Sequence, residues 1–159
     1  MAEVITPDRM RRTLAGFSTG LAVVAAEVHG TLVGMPANSL VSVSLDPPLV
    51  SLSFAHTSTT WPELRRADRW GISVLGVGQE QILRDLRRPA SSRFDGIEVE
   101  VREQAGIVRG AIATIEAAPW NAVEAGDHTL VLLEVLALER DEKAEPLVFF
   151  GGQVRTLSS

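Results

Sequence analysis

Residues 34–54 read GMPANSLVSVSLDPPLVSLSF. Segments 40–45 and 49–54 alternate apolar residues with serine, the period-two pattern of half-buried strands. Asp46-Pro47-Pro48 between them forces a turn, since proline fixes φ and aspartate bonds its own main chain. Upstream, Gly34-Met35-Pro36-Ala37-Asn38-Ser39 interrupts the pattern where a tight turn would have sufficed. Residue chemistry allows two readings of that run. It is an irregular connection that turns a barrel corner, or it is a surface whose small side chains and exposed N–H groups let a flat ligand lie on the main chain. The first is the simpler.

Outward from this stretch, 21–28 is rich in β-branched residues, and His29-Gly30 reads as a two-residue hairpin loop into 31–33. Further strand patterns fall at 70–75, 97–101, 112–117, 129–138 and 146–150. Thr6-Pro7-Asp8 signals a helix start, and Met10, Leu14 and Phe17 on one face predict a short covering helix. Residues 79–86 place Ile82, Leu83 and Leu86 on one helical face, and Ser58 to Leu64 reads as another capped helix start. Strands dominate without regular strand–helix alternation, which predicts a mainly β, closed antiparallel barrel with short peripheral helices. The chain of 159 residues suits a single domain, 1–159.

Composition removes several function classes. There is no cysteine, hence no thiolate nucleophile, disulfide or cysteine-held metal, and redox chemistry would need a bound organic cofactor. The histidines, His29, His56 and His128, lie outside one another's helical turn, so no metal ligand set is expected. A net charge of -5, with Lys143 the only lysine, argues against nucleic acid, which demands a concentrated basic face. No apolar run approaches a bilayer's thickness, and MAEVITPDRMRR lacks the apolar core of a secretory signal. A soluble, cytoplasmic protein is expected.

Two more stretches could carry chemistry. Thr57-Ser58-Thr59-Thr60, after a strand and before a helix, offers hydroxyls to a phosphate or simply caps the helix. Gly126-Asp127-His128-Thr129 puts a histidine where a strand begins, either orienting a substrate or bonded locally in a turn. Gly76-Val77-Gly78 lacks the third glycine of a dinucleotide fingerprint.

Taken in order, GFSTG at 16–20 with Ala22-Val23-Val24, then 34–54, TSTTW at 57–61, Ser92-Arg93-Phe94-Asp95-Gly96, GDHT at 126–129 and Pro146 to Gly152 resemble the flavin reductase family with the FMN-binding split-barrel fold. The resemblance spans nearly the whole chain. It implies a homodimer of small split barrels that uses NADH or NADPH to reduce FMN or FAD, often for a separate monooxygenase. It further implies that Met35, Pro36, Ala37, Asn38 and Ser39, with Ser42, Val43 and Ser44, lie along the flavin ring and ribityl chain. Ser53, Phe54 and Ala55 would flank the flavin; Ser58, Thr59 and Thr60 would take its phosphate; Arg93 and Phe94 would stand near its outer edge. His128 would be the catalytic-side residue, facing the nicotinamide. Pro36 stands where many relatives carry Thr, and supplies neither hydroxyl nor N–H. The ending after Phe149 lacks the Tyr and second Arg common in relatives. A flavin carrier, store or sensor without turnover would share the ring and phosphate contacts, but would need no GDHT.

Overall fold

The apolar run of β2 (Ala22–Val28) does not alternate with polar residues because both of its faces are buried. Ala22, Val24, Ala26 and Val28 enter one core with Leu52, Trp70, Ile72, Val131 and Leu133. Leu21, just before the strand, and Val23 and Ala25 within it enter a second core with Leu75, Leu86, Val108 and Leu147. Period-two geometry sends successive side chains to opposite faces, so this strand divides the interior in two.

The computed structural model, in which residues 2–157 are described, is built almost entirely from antiparallel strands. After β1 (Thr19–Gly20) and β2 come β3 (Thr31–Ala37), β4 (Val41–Leu45) and β5 (Pro48–Ala55), then the one-turn helix α2 (Trp61–Leu64). β6 (Trp70–Val74) leads to the short helix α3 (Glu80–Asp85), followed by β7 (Val99–Arg102), β8 (Ala105–Val108), β9 (Ala113–Ala125), β10 (His128–Arg140), β11 (Leu147–Phe150) and β12 (Gln153–Thr156). The main sheet runs β4-β5-β10-β9-β6-β2-β8-β7 with β3 on β2, and β1-β11-β12 form a small second sheet. The mainly β, antiparallel architecture with few short helices is the one expected.

Several expectations shift. Residues 34–37, expected as an interruption, continue β3, with Met35 opposite Val24 and Pro36 opposite Val23. Among the described residues β3 pairs only with β2, and an outer strand tolerates a proline. The real break is 38–40, between two strands that each have a single partner. β8 escaped detection because its hairpin with β7 turns through Glu103 and Gln104 at φ 47° and 81°, left-handed positions that these residues do not advertise. The dipeptide His29-Gly30 adopts φ 51° and 76°, the two-residue hairpin expected. β9 runs past Pro119, where a sequence reading stops, because Trp120 is bulged out between Leu132↔Asn121 and Leu133↔Pro119.

The helix α1 (Pro7–Leu14) starts as expected, the Thr6 hydroxyl accepting from the Arg9 N–H at 3.2 Å. It does not cover the sheet as expected: Met10, Leu14 and Phe17 are exposed, and no residue of the helix is buried among the described residues.

In the first core, Phe54 stacks on Trp61 at 4.8 Å and meets Trp70 edge-on at 5.6 Å. The Trp70 indole N–H donates to the Ala67 carbonyl at 3.2 Å, so the buried ring leaves no polar atom unmet. The β8 backbone crosses so close to Gly71 that a Cβ there would collide with the main chain of Gly106. Gly71→Ala is therefore expected to cost about 1–3 kcal/mol, whereas Gly20→Ala, with open space around it, should change stability little. Urea unfolding of the two variants checks this; equal midpoints would show that the crossing yields freely.

Candidate functional site

Three segments distant in sequence meet at one rim. β5 and β10 pair with His128 opposite Ala55, Thr129 opposite Phe54 and Leu130 opposite Ser53. Paired residues share a sheet face. Thr129, Val131 and Leu133 are buried, so His128, Ala55 and Ser53 belong to the opposite face. The Phe54 side chain, expected beside the flavin, faces the core at 1% exposure, and only its main chain is available to a ligand.

The 126–129 turn and the turn after β5 are tied together. Gly126 takes φ 65°, which admits the two-residue connection between β9 and β10. The His56 N–H donates to the Asp127 carbonyl at 2.9 Å. Glu124 holds both sides with one carboxylate, Oε2 at 2.8 Å from His56 Nε2 and Oε1 accepting from the Thr129 hydroxyl at 3.0 Å. Asp127 Oδ1 lies 2.7 Å from His128 Nδ1, and that hydrogen bond, with the attraction of the imidazolium, holds the Asp127 carboxyl below the usual carboxylate range. The contact leaves His128 Nε2 as the ring nitrogen free to meet a ligand. Sequence reading did not single out His56 or Glu124; their pairing exists only because the two turns are adjacent.

The hydroxyl run divides its labour. Ser58 Oγ accepts from the N–H groups of Thr60 and Trp61, both at 3.2 Å, and so caps α2 from before its first turn. It also approaches Met35 Sδ at 4.0 Å, joining this turn to β3. Thr60, nearly buried, accepts through Oγ1 from Arg93 Nη1 at 3.0 Å. Thr59 is exposed and its hydroxyl bonds no group among the described residues. Arg93 Nη1 also donates to the Gly34 carbonyl at 3.0 Å, and Nε to the Arg88 carbonyl at 3.3 Å. Phe94 lies over Gly34, where any Cβ would stand 2.8 Å from the ring.

Met35, Pro36 and Ala37 stand on β3, Asn38 and Ser39 in the break, and Ser42, Val43 and Ser44 on β4, with Val43 the bulged residue. Ser39 Oγ accepts from the Ser53 N–H at 3.0 Å and donates to its carbonyl at 3.5 Å, pinning the break onto β5. The set thus gathers along the open edges of β3 and β4, and it splits between faces, for Met35 packs inward on the first core while Pro36 lies opposite Val23, whose side chain enters the second.

A flavin phosphate suits the donors present: the free Thr59 hydroxyl and the Arg93 guanidinium, with no carboxylate within 4.0 Å of that cation among the described residues. A flat ring suits the 31–45 stretch, whose two strands each offer an unpaired main-chain edge.

A family model described as flavin reductase like domain matches residues 10–158. The chain is 37% identical over 164 aligned positions to an NADH-dependent FAD reductase of Streptomyces globisporus, covering 97% of this chain and 89% of that protein. It is 34% identical to a probable flavin reductase of Rhizobium meliloti over 87% of this chain, where it spans only 45% of the relative's length. Among solved structures, the NADH:FAD oxidoreductase SgcE6 of Streptomyces globisporus C-1027 superposes with a TM-score of 0.90 at 32% identity, covering 100% of this chain and 99% of that one. The family match over nearly the whole chain, and 37% identity across 97% of it to a named flavin reductase, show that the chain belongs to the flavin reductase like domain family.

Proposed function

We infer that this protein is an NADH-dependent flavin reductase that binds FMN or FAD at the rim built by β3, β4, β5 and β10. The observation that carries the reading is the register of His128 against Ala55, which sets an anchored imidazole beside the strand end that leads into the hydroxyl turn. Relatives named as NADH-dependent flavin reductases support it. Held there, a flavin would supply the hydride acceptor at N5 and NADH the hydride donor at C4, the chemistry belonging to the cofactors.

The chain's own part is alignment and charge placement. Thr59 and Arg93 hold the phosphate end, and main-chain N–H groups of 37–44 meet the negative charge that develops on the ring. His128 orients the nicotinamide through Nε2, its ring fixed by Asp127. NADPH as an alternative donor, delivery of reduced flavin to a monooxygenase, and a cytoplasmic location belong to the same reading. Reductase components of monooxygenases occur among the relatives, and no helix among the described residues is long and apolar enough to cross a membrane.

A homodimer is part of the proposal. The face that carries His128 also carries Val41 and Val123, 56% and 45% exposed, beside the half-buried Leu130 and Leu132. This apolar sheet face suits a second copy.

Mixing the protein with NADH and excess FMN or FAD should oxidise NADH over many turnovers, followed by loss of absorbance at the nicotinamide band. Reduction that stops at one equivalent would reveal a carrier instead. His128→Ala should raise the KM for NADH about tenfold, the loss of one hydrogen bond, with a smaller effect on flavin affinity; an unchanged KM removes His128 from the site. Asp127→Asn should repeat part of that defect. Because the Asp127 carboxyl is depressed in the folded protein, the anchor is complete above the ordinary carboxylate range and is lost as pH falls through the depressed value. The KM for NADH should accordingly rise only at the acid end, and a rise confined to alkaline pH would contradict the assignment. Val123→Glu should turn a dimer into a monomer in light scattering; a monomeric parent protein would dispose of the dimer.

A further inference from the structure

The chain holds three tryptophans, and all of them border one cavity of about 260 Å³ between α2 and β9. Trp61 and Trp70 reach it from the first core, and Trp120 from the bulge in β9. The cavity shares no residue with the set expected around a flavin, and Arg65 is the only charged group among the described residues that line it. We propose that this cavity is a second ligand site, one that takes a small aromatic carboxylate, with the ring packed on indole and the carboxylate on the Arg65 guanidinium.

The aromatic part is fixed before any ligand arrives. Phe54 stacks on Trp61 at 4.8 Å, and Trp61 meets Trp70 edge-on at 5.8 Å. Trp70 is fully enclosed, so it forms the inner wall, and its N–H is spent on the Ala67 carbonyl. Trp120 is the opposite case. It is 54% exposed, and the bulge takes it out of the ladder with β10 between Pro119 and Asn121. A bulge re-aims a side chain, and here it leaves a large indole at the border of the cavity, where covering its ring with another apolar ring is favourable. Pro119 and Ala122 pair with Leu133 and Val131, which enter the first core, so the cavity lies on the sheet face away from the one proposed for the dimer.

The polar part is a cation with unspent donors. Arg65, at the C-terminal end of α2, holds its guanidinium over the Trp61 ring at 5.6 Å from the centroid. The ring's quadrupole retains the cation there without using its N–H groups. Its neighbours are committed, Arg66 to Glu63 and Arg69 to Glu103, whereas the Arg65 guanidinium meets no carboxylate or hydrogen-bond acceptor among the described residues. A carboxylate matches the guanidinium fork with two parallel hydrogen bonds, which an amine or a neutral ligand cannot make. Asn121 adds a donor, since its Oδ1 accepts from the Ala122 N–H at 2.9 Å and its amide NH2 is left unspent. The volume falls just below that of drug-sized pockets, which sets the ligand at one ring with a short side chain.

The test titrates the protein with 3-phenylpropionate and follows tryptophan fluorescence, since every indole of the chain borders the cavity. A saturable change with a dissociation constant of about 0.1–1 mM is expected, the scale for a ligand of this size. Arg65→Gln should weaken binding about tenfold, the loss of a charge-assisted contact, with Arg65→Lys in between because an ammonium keeps the charge and not the fork. Trp120→Ala should weaken it by a similar factor. Both side chains are exposed, so the urea midpoints of these variants should stay near that of the wild type. The neutral 3-phenylpropanol and the non-aromatic 3-cyclohexylpropionate should each bind several-fold more weakly. A change that rises linearly without saturation, equal affinity for either control compound, or an affinity untouched in both Arg65→Gln and Trp120→Ala overturns the proposal. A fall in the mass of Trp120→Ala in light scattering also overturns it, assigning the cavity to a contact between subunits.

Discussion

Burial of β2 on both faces is the constraint on which the rest depends. Val23, Val24, Ala25 and Ala26 are fully enclosed, and the strand pairs with β3, β6 and β8. A strand that feeds two cores cannot accept a charge or a slip of register, because a one-residue shift would exchange every side chain between the cores. Ala25 and Ala26 keep side chains small where β8 crosses, and Gly71 and Gly106 remove them altogether at the closest approach.

That fixed strand positions the site indirectly. β3 hangs on β2 alone, so its far edge is open, and its register puts Gly34 opposite Ala25, under Phe94 and within reach of Arg93. β4 hangs on β5 alone, and the break between the two open strands is pinned by Ser39 to Ser53. The irregularity of Gly34 to Ser39 is therefore less a loop than a strand whose outer edge is left unpaired, with its proline placed where an outer strand tolerates one. The same arrangement brings the turns at 55–60 and 126–129 together, and Glu124 secures them with two hydrogen bonds at the cost of ordering one exposed side chain.

Much of the fold was legible in the sequence. Alternation located β4 and β5, Asp46-Pro47-Pro48 located their turn, and His29-Gly30 located the hairpin of β2 and β3. The misses have physical causes. Glu103-Gln104 turns through left-handed conformations without glycine or asparagine, β9 passes a proline by means of a bulge, and α1 shows an amphipathic pattern whose apolar side stays exposed. Of the residues expected around a flavin, most gather at the rim, while Phe54 turns its ring into the core, a matter of strand parity that alternation alone could not assign to a face.

The sequence by itself determined most of the longer strands, the capped helix starts and the ordered motifs that mark the family, because these follow from local backbone preferences and short spacings. Only the tertiary structure decided which face His128 takes, that Arg93 bridges Thr60 and Gly34 across 33 and 59 positions, and that Trp61, Trp70 and Trp120 border one cavity. Those relations depend on register and on the packing of β2 between two cores. Both are properties of contacts between distant segments, and neither leaves a periodic trace in the residues that make them.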